Sequence, residues 1–489
     1  MTDRYTIPLE TISRGNMTGD IVIVKERKTK KEFALKTIQK KSFDEKMLNV
    51  LRREVEILAS LDHPNVIHCV EIFETPYRIS IVLELGDGTD LFDRLQKQPQ
   101  GRFKPWIASD MVRSMLLALA HCHAHGVVHR DIKLDNFIFD QRGVLKLIDF
   151  GLSKQWIDVG SKATITTTTT NSRIKKMQSV VGTLDTIAPE VMSNDIPYTQ
   201  KCDMWSVGCV VYALLCGHYP FVGSNKKEMQ KQIRKKRKNL KMRGSSWRDV
   251  PEEAKDFVKQ LLEINPEHRP SALKALKHSW MQHRPPPKDS NLFESLNAIK
   301  DFAELDPMVR VALAIYVHFS PRSNKLRDDV FLHLDTDRSG RISKQELIMA
   351  MEKHNVECKD LDRVFANVDI DNSERINFTE FLAACAYSSL KREEQLLSKT
   401  EIESIFSRLD LDRTQSISYE NICHIFGEMF GKDEIKSFFQ REGTKLCEGE
   451  SPRIRRENFY KMMAFLSVEN SSSCSTISDA STSSSFDCK

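Results

Sequence analysis

The sequence predicts a multidomain chain in which an α+β lobe and a mainly α lobe precede an all-α region of repeated units. Short β-type runs give way to helical periodicity near residue 105, and a helix–loop–helix unit recurs from residue 326. At 489 residues the chain is also too long for one hydrophobic core. We therefore expect about two to four domains.

The composition is that of an ordinary globular protein with nearly balanced charge. Hydrophobic residues make up 40% and charged residues 29%, and the formal net charge of +5 is too small to indicate a partner by itself. The 11 cysteines are scattered singly without a CxxC pair, which argues against a disulfide framework and a zinc site. The sequence shows no signal peptide and no apolar run of membrane-spanning length, and Thr2 replaces the glycine that N-myristoylation needs. We expect a cytoplasmic protein, with the nucleus as the alternative.

The first two lobes are predicted from the spacing of apolar residues. Residues 21–24 and 33–36 are β-type runs and a helical pattern covers 44–60, which together predict a small sheet with one helix. From 105 to 280 the helical period dominates, and polar motifs lie in the loops between helices. The clearest helical patterns are 109–123, 205–216 and 252–263. A run of prolines ends this lobe, because proline cannot continue a helix.

Two loops of the second lobe carry residue types suited to phosphoryl transfer. Asp131 can orient a substrate hydroxyl or accept its proton, and Lys133 can neutralise charge on a transferring phosphate. Asn136 and Asp149 supply oxygens for Mg²⁺. This combination predicts a centre for phosphoryl transfer from a metal-bound nucleotide.

Two residues upstream complete the predicted centre. Lys36 ends a strand pattern and Glu54 lies on the following helical pattern, a pair suited to holding the nucleotide phosphates. The order and spacing of these parts resemble a eukaryotic protein kinase over residues 5–283. Further motifs of that family are HisArgAsp at 129–131, AspPheGly at 149–151, AlaProGlu at 188–190 and AspMetTrpSerValGly at 203–208.

The resemblance implies a bilobal protein-kinase fold that uses ATP and Mg²⁺ to phosphorylate protein hydroxyls. It implies that Arg269 pairs with Glu190, and Lys133 in the catalytic loop is the serine/threonine form. It also implies which residues of the small lobe and the hinge surround the nucleotide: Ile12, Ser13, Gly15, Gly19, Ile21, Ala34, Lys36, Leu83, Glu84, Leu85 and Asp90.

The phosphate-covering loop at 12–21 departs from the family pattern GxGxxGxV. Ser13 stands at the first glycine position, and one extra residue precedes Gly19. Glycine lets the backbone approach phosphate closely, so we expect weaker nucleotide binding. Loss of catalysis does not follow, because the catalytic residues are all present.

Acidic and basic clusters suggest partners without deciding between alternatives. Asp90 and Asp135 match family positions that bind an arginine before the phosphorylated residue, so we expect protein substrates with basic motifs; helix capping or solvent exposure is the alternative. Residues 226–243 hold ten Lys or Arg against Glu228, which fits a solvated helix face, an acidic partner, nucleic acid or an anionic membrane. A threonine run at 164–170 predicts an exposed excursion, and Ser179 nearby is the better autophosphorylation candidate.

Two of the repeated units carry a calcium-loop pattern. In the first, 335–346, Gly340 permits the sharp turn and the ligands are Asp335, Asp337, Ser339, the carbonyl of Arg341, Ser343 and Glu346. In the second, 369–380, Glu374 replaces the glycine, which costs about 1 kcal/mol but leaves the ligands in place. These are Asp369, Asp371, Ser373, the carbonyl of Arg375, Asn377 and Glu380.

The other two units are weaker matches. The third, 410–421, has Gln415 at the glycine position and Asn421 in place of the closing glutamate, so calcium binding there is doubtful. The fourth, 447–458, lacks the first ligands and is degenerate. An isoleucine recurs at 342, 376, 417 and 454, and we expect the fourth unit to pair with the third to bury their helices.

A kinase-like region, an amphipathic segment and four such units in one chain resemble the calcium-dependent protein kinases of plants and protists over 5–466. The implied parts are a protein kinase domain at 1–283, a junction segment at 284–325, four EF-hand units at 326–466 and a serine-rich tail at 467–489 that we predict to be disordered. Pro307 interrupts the junction segment behind the capping residue Asp306, so we expect two helices rather than one rod.

In that family the junction segment holds the kinase inactive until Ca²⁺ opens the EF-hands, which then capture the segment. Lys300 and Arg310 are the chief bases of the segment here, so occlusion or loss of support is favoured over mimicry of a basic substrate. The resemblance implies a monomer that needs no separate calmodulin. The alternative is a catalytically weak or dead kinase that acts as a Ca²⁺-dependent scaffold.

Overall fold

The computed structural model describes residues 1, 4–6, 10–13, 20–150, 154–155, 184–193, 199–236, 240, 242–282, 287–320, 325–391, 397–426, 439 and 453–463. Contacts divide the chain into two compact units, and neither unit is one continuous stretch. Unit 1 comprises Met1–Lys25, Glu32–Pro287 and Ser323–Gly340, and unit 2 comprises Glu26–Lys31, Lys288–Arg322 and Arg341–Lys489. Within the described ranges, none of the helices combines the length and the apolar character that a bilayer crossing requires.

Unit 1 begins with an antiparallel five-stranded sheet of order β1-β2-β3-β5-β4. Its strands are β1 (Glu10–Ser13), β2 (Asp20–Lys25), β3 (Glu32–Gln39), β4 (Cys69–Glu74) and β5 (Arg78–Leu83), and helix α1 (Glu45–Ser60) follows β3. The predicted small sheet with one helix is confirmed. Phe33, Leu35 and Ile38 on β3 are buried, which fixes that strand at the centre of the sheet.

The rest of unit 1 is mainly helical. Its helices up to residue 276 are α2 (Leu91–Gln96), α3 (Pro105–Ala124), α4 (Pro189–Ser193), α5 (Lys201–Cys216), α6 (Lys226–Lys236), α7 (Glu252–Leu261) and α8 (Ala272–Leu276). Short strands between them are β6 (Gly86–Asp90), β7 (Val127–Val128), β8 (Phe137–Asp140), β9 (Leu145–Leu147) and β10 (Lys154–Gln155). Helix α5 is buried from Cys202 to Cys216 and forms the centre of this lobe.

The junction segment forms two helices, as predicted. Helix α9 covers Asp289–Ala303 and helix α10 covers Pro307–His318. Asp306 caps α10 by accepting a hydrogen bond from the backbone N–H of Met308 at 3.0 Å, and proline is tolerated at the first helical position because no helical hydrogen bond is lost there. Leu292, Leu296, Ile299 and Phe302 on α9 are buried, and the helix belongs to unit 2.

The repeated units form helix–loop–helix elements joined in pairs. In chain order they contain α11 (Lys325–Leu334), β11 (Ile342–Ser343), α12 (Lys344–Lys353), α13 (Leu361–Val368), β12 (Arg375–Ile376), α14 (Phe378–Lys391), α15 (Lys399–Leu409), β13 (Ser416–Ser418), α16 (Tyr419–Phe426), β14 (Arg453–Arg455) and α17 (Arg456–Met463). The recurring isoleucines meet across two small antiparallel sheets, Ile342 opposite Ile376 and Ile417 opposite Ile454. All four are buried. The predicted pairing of the third unit with the fourth is confirmed.

Candidate active site and calcium loops

The predicted catalytic loop between β7 and β8 brings Asp131, Lys133 and Asn136 together. Oδ2 of Asp131 lies 3.0 Å from Nζ of Lys133 and accepts a hydrogen bond from Nδ2 of Asn136 at 2.9 Å. The same Nδ2 donates to the backbone carbonyl of Asp131 at 2.7 Å. Oδ1 of Asp131 is buried and has no hydrogen-bond partner among the residues that the structure describes. One carboxylate oxygen of Asp131 is therefore not used to hold the loop together within the described part of the chain.

A buried carboxylate on α5 holds this loop in place. Asp203 accepts hydrogen bonds from the backbone N–H groups of His129 at 3.0 Å and of Arg130 at 2.8 Å, and its Oδ2 lies 2.9 Å from Nε2 of His123. Burial raises the pKa of Asp203, but the hydrogen bond and charge of His123, the charge of His129 and the backbone N–H of Arg130 together hold that pKa below its ordinary value. Sequence reasoning noted Asp203 only as part of a motif. The signal of its role is an acid inside an otherwise apolar helix.

Lys36 pairs with Asp149 in this structure. Nζ of Lys36 lies 3.0 Å from Oδ1 of Asp149. Burial raises the pKa of Asp149, but the charge and hydrogen bond of Lys36, with the charges of His129 and Lys133, together hold that pKa below its ordinary value. The backbone of Glu54 lies on α1, but its side chain is outside the described part, so its pairing with Lys36 stays a prediction.

Six of the residues expected around the nucleotide lie on strands of the small sheet: Ile12, Ser13, Ile21, Ala34, Lys36 and Leu83. Ile21 on β2 stands opposite Lys36 on β3, and Ala34 stands opposite Leu83 on β5. The pairing of β1 with β2 is irregular between Thr11 and Ser13, next to the start of the phosphate-covering loop. Gly15 and Gly19 lie outside the described residues.

The side chain of the hinge residue Glu84 is engaged in contacts within the protein. Its Oε1 lies 3.0 Å from Nζ of Lys146 and accepts a hydrogen bond from the backbone N–H of His68 at 2.8 Å. Both Glu84 and Lys146 are buried. A nucleotide at the hinge would therefore meet the main chain of Glu84 rather than its carboxylate.

The donor set near Asp131 fits Mg²⁺, which prefers oxygen ligands. Because Nδ2 of Asn136 is used by Asp131, Oδ1 of the same amide is the atom left for a cation. The Asp149 carboxylate stays ionised, since its pKa is held low. Both residues are therefore suited to the role that the sequence assigns them.

Asp90 caps helix α2. Its Oδ1 accepts a hydrogen bond from the backbone N–H of Asp93 at 2.8 Å. Burial raises the pKa of Asp90, and the negative charges of Asp93 and Asp135 raise it further. Asp90 and Asp135 are thus close enough to interact, and a basic group between them would relieve the repulsion.

A buried ion pair links α4 to the loop before α8. Arg269 donates to both carboxylate oxygens of Glu190 at 2.7 and 3.1 Å, as the resemblance implied. The basic stretch begins on α6, where Met229 and Ile233 are buried. Residues 237–239 and 241, the threonine run and Ser179 lie outside the described residues.

The first calcium loop has its carboxylates gathered. Asp335, Asp337 and Glu346 each offer an oxygen, and these atoms lie within 4.8 Å of one another. Gly340 adopts the left-handed conformation with φ of 80°. Oε2 of Glu346 accepts hydrogen bonds from the backbone N–H and the hydroxyl of Ser343, both at 2.8 Å. This all-oxygen set fits Ca²⁺.

The second calcium loop is gathered in the same way. Oxygens of Asp369, Asp371 and Glu380 also lie within 4.8 Å of one another. Glu374 takes the left-handed conformation expected at the glycine position, with φ of 62°. Burial, with the nearby Asp371, raises the pKa of Asp369 to about 6 and raises the pKa of Glu380. Crowded buried carboxylates of this kind favour a divalent cation.

Comparisons with known proteins match the two regions of the chain that hold the candidate sites. The protein kinase domain family matches residues 8–281, and the EF-hand domain pair family matches 325–386. Calcium-dependent protein kinase 3 of Plasmodium berghei is 30% identical over 433 residues, which cover 87% of this chain and 73% of that protein. Calcium-dependent protein kinase 9 of Oryza sativa subsp. japonica is 28% identical over 480 residues, covering 95% and 77%. Calcium-dependent protein kinase 8 of Arabidopsis thaliana is 29% identical over 464 residues, covering 92% and 81%.

Proposed function

Because the chain belongs to the calcium-dependent protein kinase family, we propose that it transfers the γ-phosphate of ATP to serine and threonine hydroxyls of proteins under the control of its own EF-hands. The observation that carries the proposal is the catalytic loop, in which Asp131 keeps one buried oxygen without a partner among the described residues beside Lys133 and Asn136. ATP, Mg²⁺ and Ca²⁺ are the cofactors of this family.

Each residue of the centre has a distinct task. Asp131 would orient the substrate hydroxyl through Oδ1 and accept its proton, while Lys133 would neutralise the transferring phosphate. Asn136 and Asp149 would hold Mg²⁺, which neutralises phosphate charge when bound. Lys36 would hold the nucleotide phosphates. Asp203 acts through the loop backbone and is a positioning residue.

The acids at Asp90 and Asp135 support basic substrate motifs. Their mutual repulsion raises the pKa of Asp90 beyond the effect of burial, and an arginine of the substrate would stabilise both carboxylates. The Asp90 carboxylate caps α2 by accepting hydrogen bonds from backbone N–H groups, and its negative charge would also attract a guanidinium.

Contacts inside unit 2 support capture of the junction segment by the second EF-hand. Nδ2 of Asn367 donates to the carbonyl of Ala303 at 2.8 Å, and Nζ of Lys300 donates to the carbonyl of Glu357 at 2.8 Å. Arg310 is buried and donates to the carbonyl of Asn367. Both chief bases of the segment are thus committed to main-chain oxygens, which favours inhibition by occlusion or loss of support. A hundredfold activation needs only about 2.7 kcal/mol of differential calcium binding.

The test is a phosphorylation assay on the full chain without calmodulin. The substrate is a peptide with an arginine before its serine, and its matched control replaces that arginine with alanine. We expect transfer with Ca²⁺ and little with EGTA, a preference for the arginine peptide, and no transfer by Asp131→Asn. Equal rates in EGTA and Ca²⁺ would contradict the regulation.

Two variants separate the parts of the proposal. Glu346→Gln combined with Glu380→Gln should abolish stimulation by Ca²⁺. Asp90→Asn combined with Asp135→Asn should erase the preference for the arginine peptide, and an unchanged preference would refute the assignment of these acids. Calcium binding without any transfer would favour the scaffold alternative, which rests on the irregular loop at Ser13.

A further inference from the structure

The third repeated unit keeps the shape of a calcium loop without its ligand set. Asp410 accepts hydrogen bonds from the backbone N–H groups of Thr414 at 2.9 Å and of Gln415 at 3.0 Å. Gln415 takes the left-handed conformation, with φ of 60°. At the last loop position Oδ1 of Asn421 accepts a hydrogen bond from the backbone N–H of Ser418 at 2.9 Å. The loop is closed through its own backbone, with a neutral amide where Ca²⁺ requires a bidentate carboxylate.

A guanidinium enters this loop from the neighbouring strand. Nη1 of Arg453 on β14 donates to Oδ2 of Asp412 and to Oγ1 of Thr414, both at 2.8 Å, and lies 3.4 Å from Oγ of Ser416. Asp412 and Thr414 are the third and fifth loop residues, whose side chains face the cation in a calcium loop. Burial raises the pKa of Asp412, but the hydrogen bond from Arg453 helps to hold that pKa below its ordinary value. The positive charge of Arg453 thus lies on the side of the loop where ligands face the cation in a calcium loop.

The strand pairing explains why Arg453 reaches the loop. β13 and β14 pair antiparallel with Ser418 opposite Arg453 and Ser416 opposite Arg455, around the buried pair Ile417 and Ile454. Arg455 is exposed, whereas Arg453 is half-buried. Arg455 therefore provides a control arginine on the same strand.

Helix α15, the first helix of this unit, contacts a turn that lies near the beginning of the chain. The turn, Glu26–Lys31, joins β2 to β3 and belongs to unit 2. Nη2 of Arg408 donates to Oε1 of Glu26 at 2.6 Å, and each side chain is 3% exposed. Oγ of Ser404 donates to the same Oε1 at 3.2 Å, and the guanidinium of Arg408 stacks 3.7 Å from the ring centre of Phe319. A buried pair satisfied in this way is costly to break.

The other end of the turn is also held. Nζ of Lys31 donates to Oε1 of Glu401 at 3.2 Å and to Oγ of Ser320 at 3.0 Å, and it lies 5.0 Å from the ring centre of Tyr316. Burial raises the pKa of Glu401, but its hydrogen bonds with Ser398 and the charge of Lys31 hold that pKa below its ordinary value. Both Glu26 and Lys31 thus make ion pairs with one helix, α15.

We propose that the third EF-hand is a calcium-independent anchor, in which Arg453 replaces the cation and α15 holds the β2–β3 turn through Arg408 and Glu26. Control of the kinase by Ca²⁺ is then confined to the first two EF-hand units. The binding and exchange experiments below need no kinase activity, so they can fail or succeed apart from the proposed function.

Calcium binding to the full chain tests the role of Arg453. In a background with Glu346→Gln and Glu380→Gln, calorimetry should detect no calcium site; a remaining site would overturn the proposal. Adding Asn421→Glu and Arg453→Ser to that background should create one site. Adding Asn421→Glu alone, or Asn421→Glu with Arg455→Ser, should give calcium binding at least about tenfold weaker than Asn421→Glu with Arg453→Ser. The reason is that the guanidinium of Arg453 still competes with the cation. Equal affinity with and without Arg453 would also overturn the proposal.

Hydrogen exchange on the full chain tests the anchor. The amides of Glu26 and Lys30 donate within the turn at 2.8 and 2.9 Å and report its opening. We expect equal protection in EGTA and in Ca²⁺, and about tenfold faster exchange in Arg408→Met under both conditions, with no change in Arg455→Ser. Glu26→Gln removes the ion pair but keeps the packing of Arg408 against Phe319. It should therefore reproduce the effect of Arg408→Met if the ion pair, and not the packing, holds the turn. Protection that depends on Ca²⁺, or is unchanged in Arg408→Met, would overturn the proposal.

Discussion

Replacing Asp203 with asparagine tests how the catalytic loop is supported. The carboxylate accepts two consecutive backbone N–H groups, from His129 and Arg130, and faces Nε2 of His123. Asparagine keeps the size and one carbonyl oxygen, but it turns an NH₂ group toward one of these donors. A buried backbone N–H is then left without an acceptor, and the negative charge opposite His123 is lost.

The expected loss of stability follows from these contacts. A hydrogen bond to a charged group contributes about 1.5–3 kcal/mol, and a buried donor without a partner costs about 1–3 kcal/mol. We therefore expect Asp203→Asn to lower the free energy of unfolding by about 3–5 kcal/mol. Exposed Asp110 on α3 provides the control, and Asp110→Asn should change stability by less than about 0.5 kcal/mol.

Urea unfolding followed by tryptophan fluorescence measures this loss selectively. All 5 tryptophans of the chain lie before residue 288, so their emission reports on the kinase unit. Kinase activity should fall with stability under conditions where the variant is still folded, because the loop that carries Asp131 loses its support. An Asp203→Asn variant as stable as Asp110→Asn would refute the reasoning.

The same comparison predicts a pH dependence. The folded-state pKa of Asp203 is held below its ordinary value, so its carboxylate contributes stability that is complete above the pKa of the unfolded chain. That contribution is lost as the pH falls through the lower folded-state pKa. The difference between wild type and Asp203→Asn should thus stay constant from neutral pH to about pH 5 and shrink only in stronger acid. A difference that already shrinks near pH 6 would contradict the assignment.

Three further predictions concern the calcium loops and the nucleotide. Glu346→Gln and Glu380→Gln should each remove one of two calcium sites in calorimetry, whereas exposed Glu352→Gln should remove none; a full set of sites in either variant would contradict the ligand assignment. Ser13→Gly should lower the KM for ATP about two- to fivefold with kcat unchanged, because the backbone can approach phosphate more closely, and an unchanged KM would argue against a role for Ser13. Ile376→Ala should cost about 2–5 kcal/mol in calcium-free unfolding followed by circular dichroism and Ile376→Val about 0.5–1.5, because Ile376 is buried; equal losses would contradict this packing.

Local spacing alone determined much of this protein. The carboxylates of a calcium loop lie within twelve consecutive residues, so their spacing places Asp335 and Glu346 around one point before any tertiary contact is considered. The recurring isoleucines likewise marked the residues that pair across the two small sheets. Pro307 behind Asp306 predicted the break between α9 and α10, since both effects act within one helical turn.

Contacts between residues far apart in the chain could not be predicted in this way. Asp203 supports a loop more than seventy residues earlier, and Lys36 meets Asp149 across 113 positions. Arg453 enters the third loop from 41 positions beyond Asp412, and Arg408 meets Glu26 across 382. Only the folded chain decides these partners, because the packing of whole strands and helices brings them together. The local spacing of residues in the sequence carries no information about that packing. The sequence by itself indicated the predicted reacting groups and calcium ligands, because their spacing is local. The tertiary structure decided which distant residues support them and placed Arg453 against Asp412 and Thr414 of the third loop.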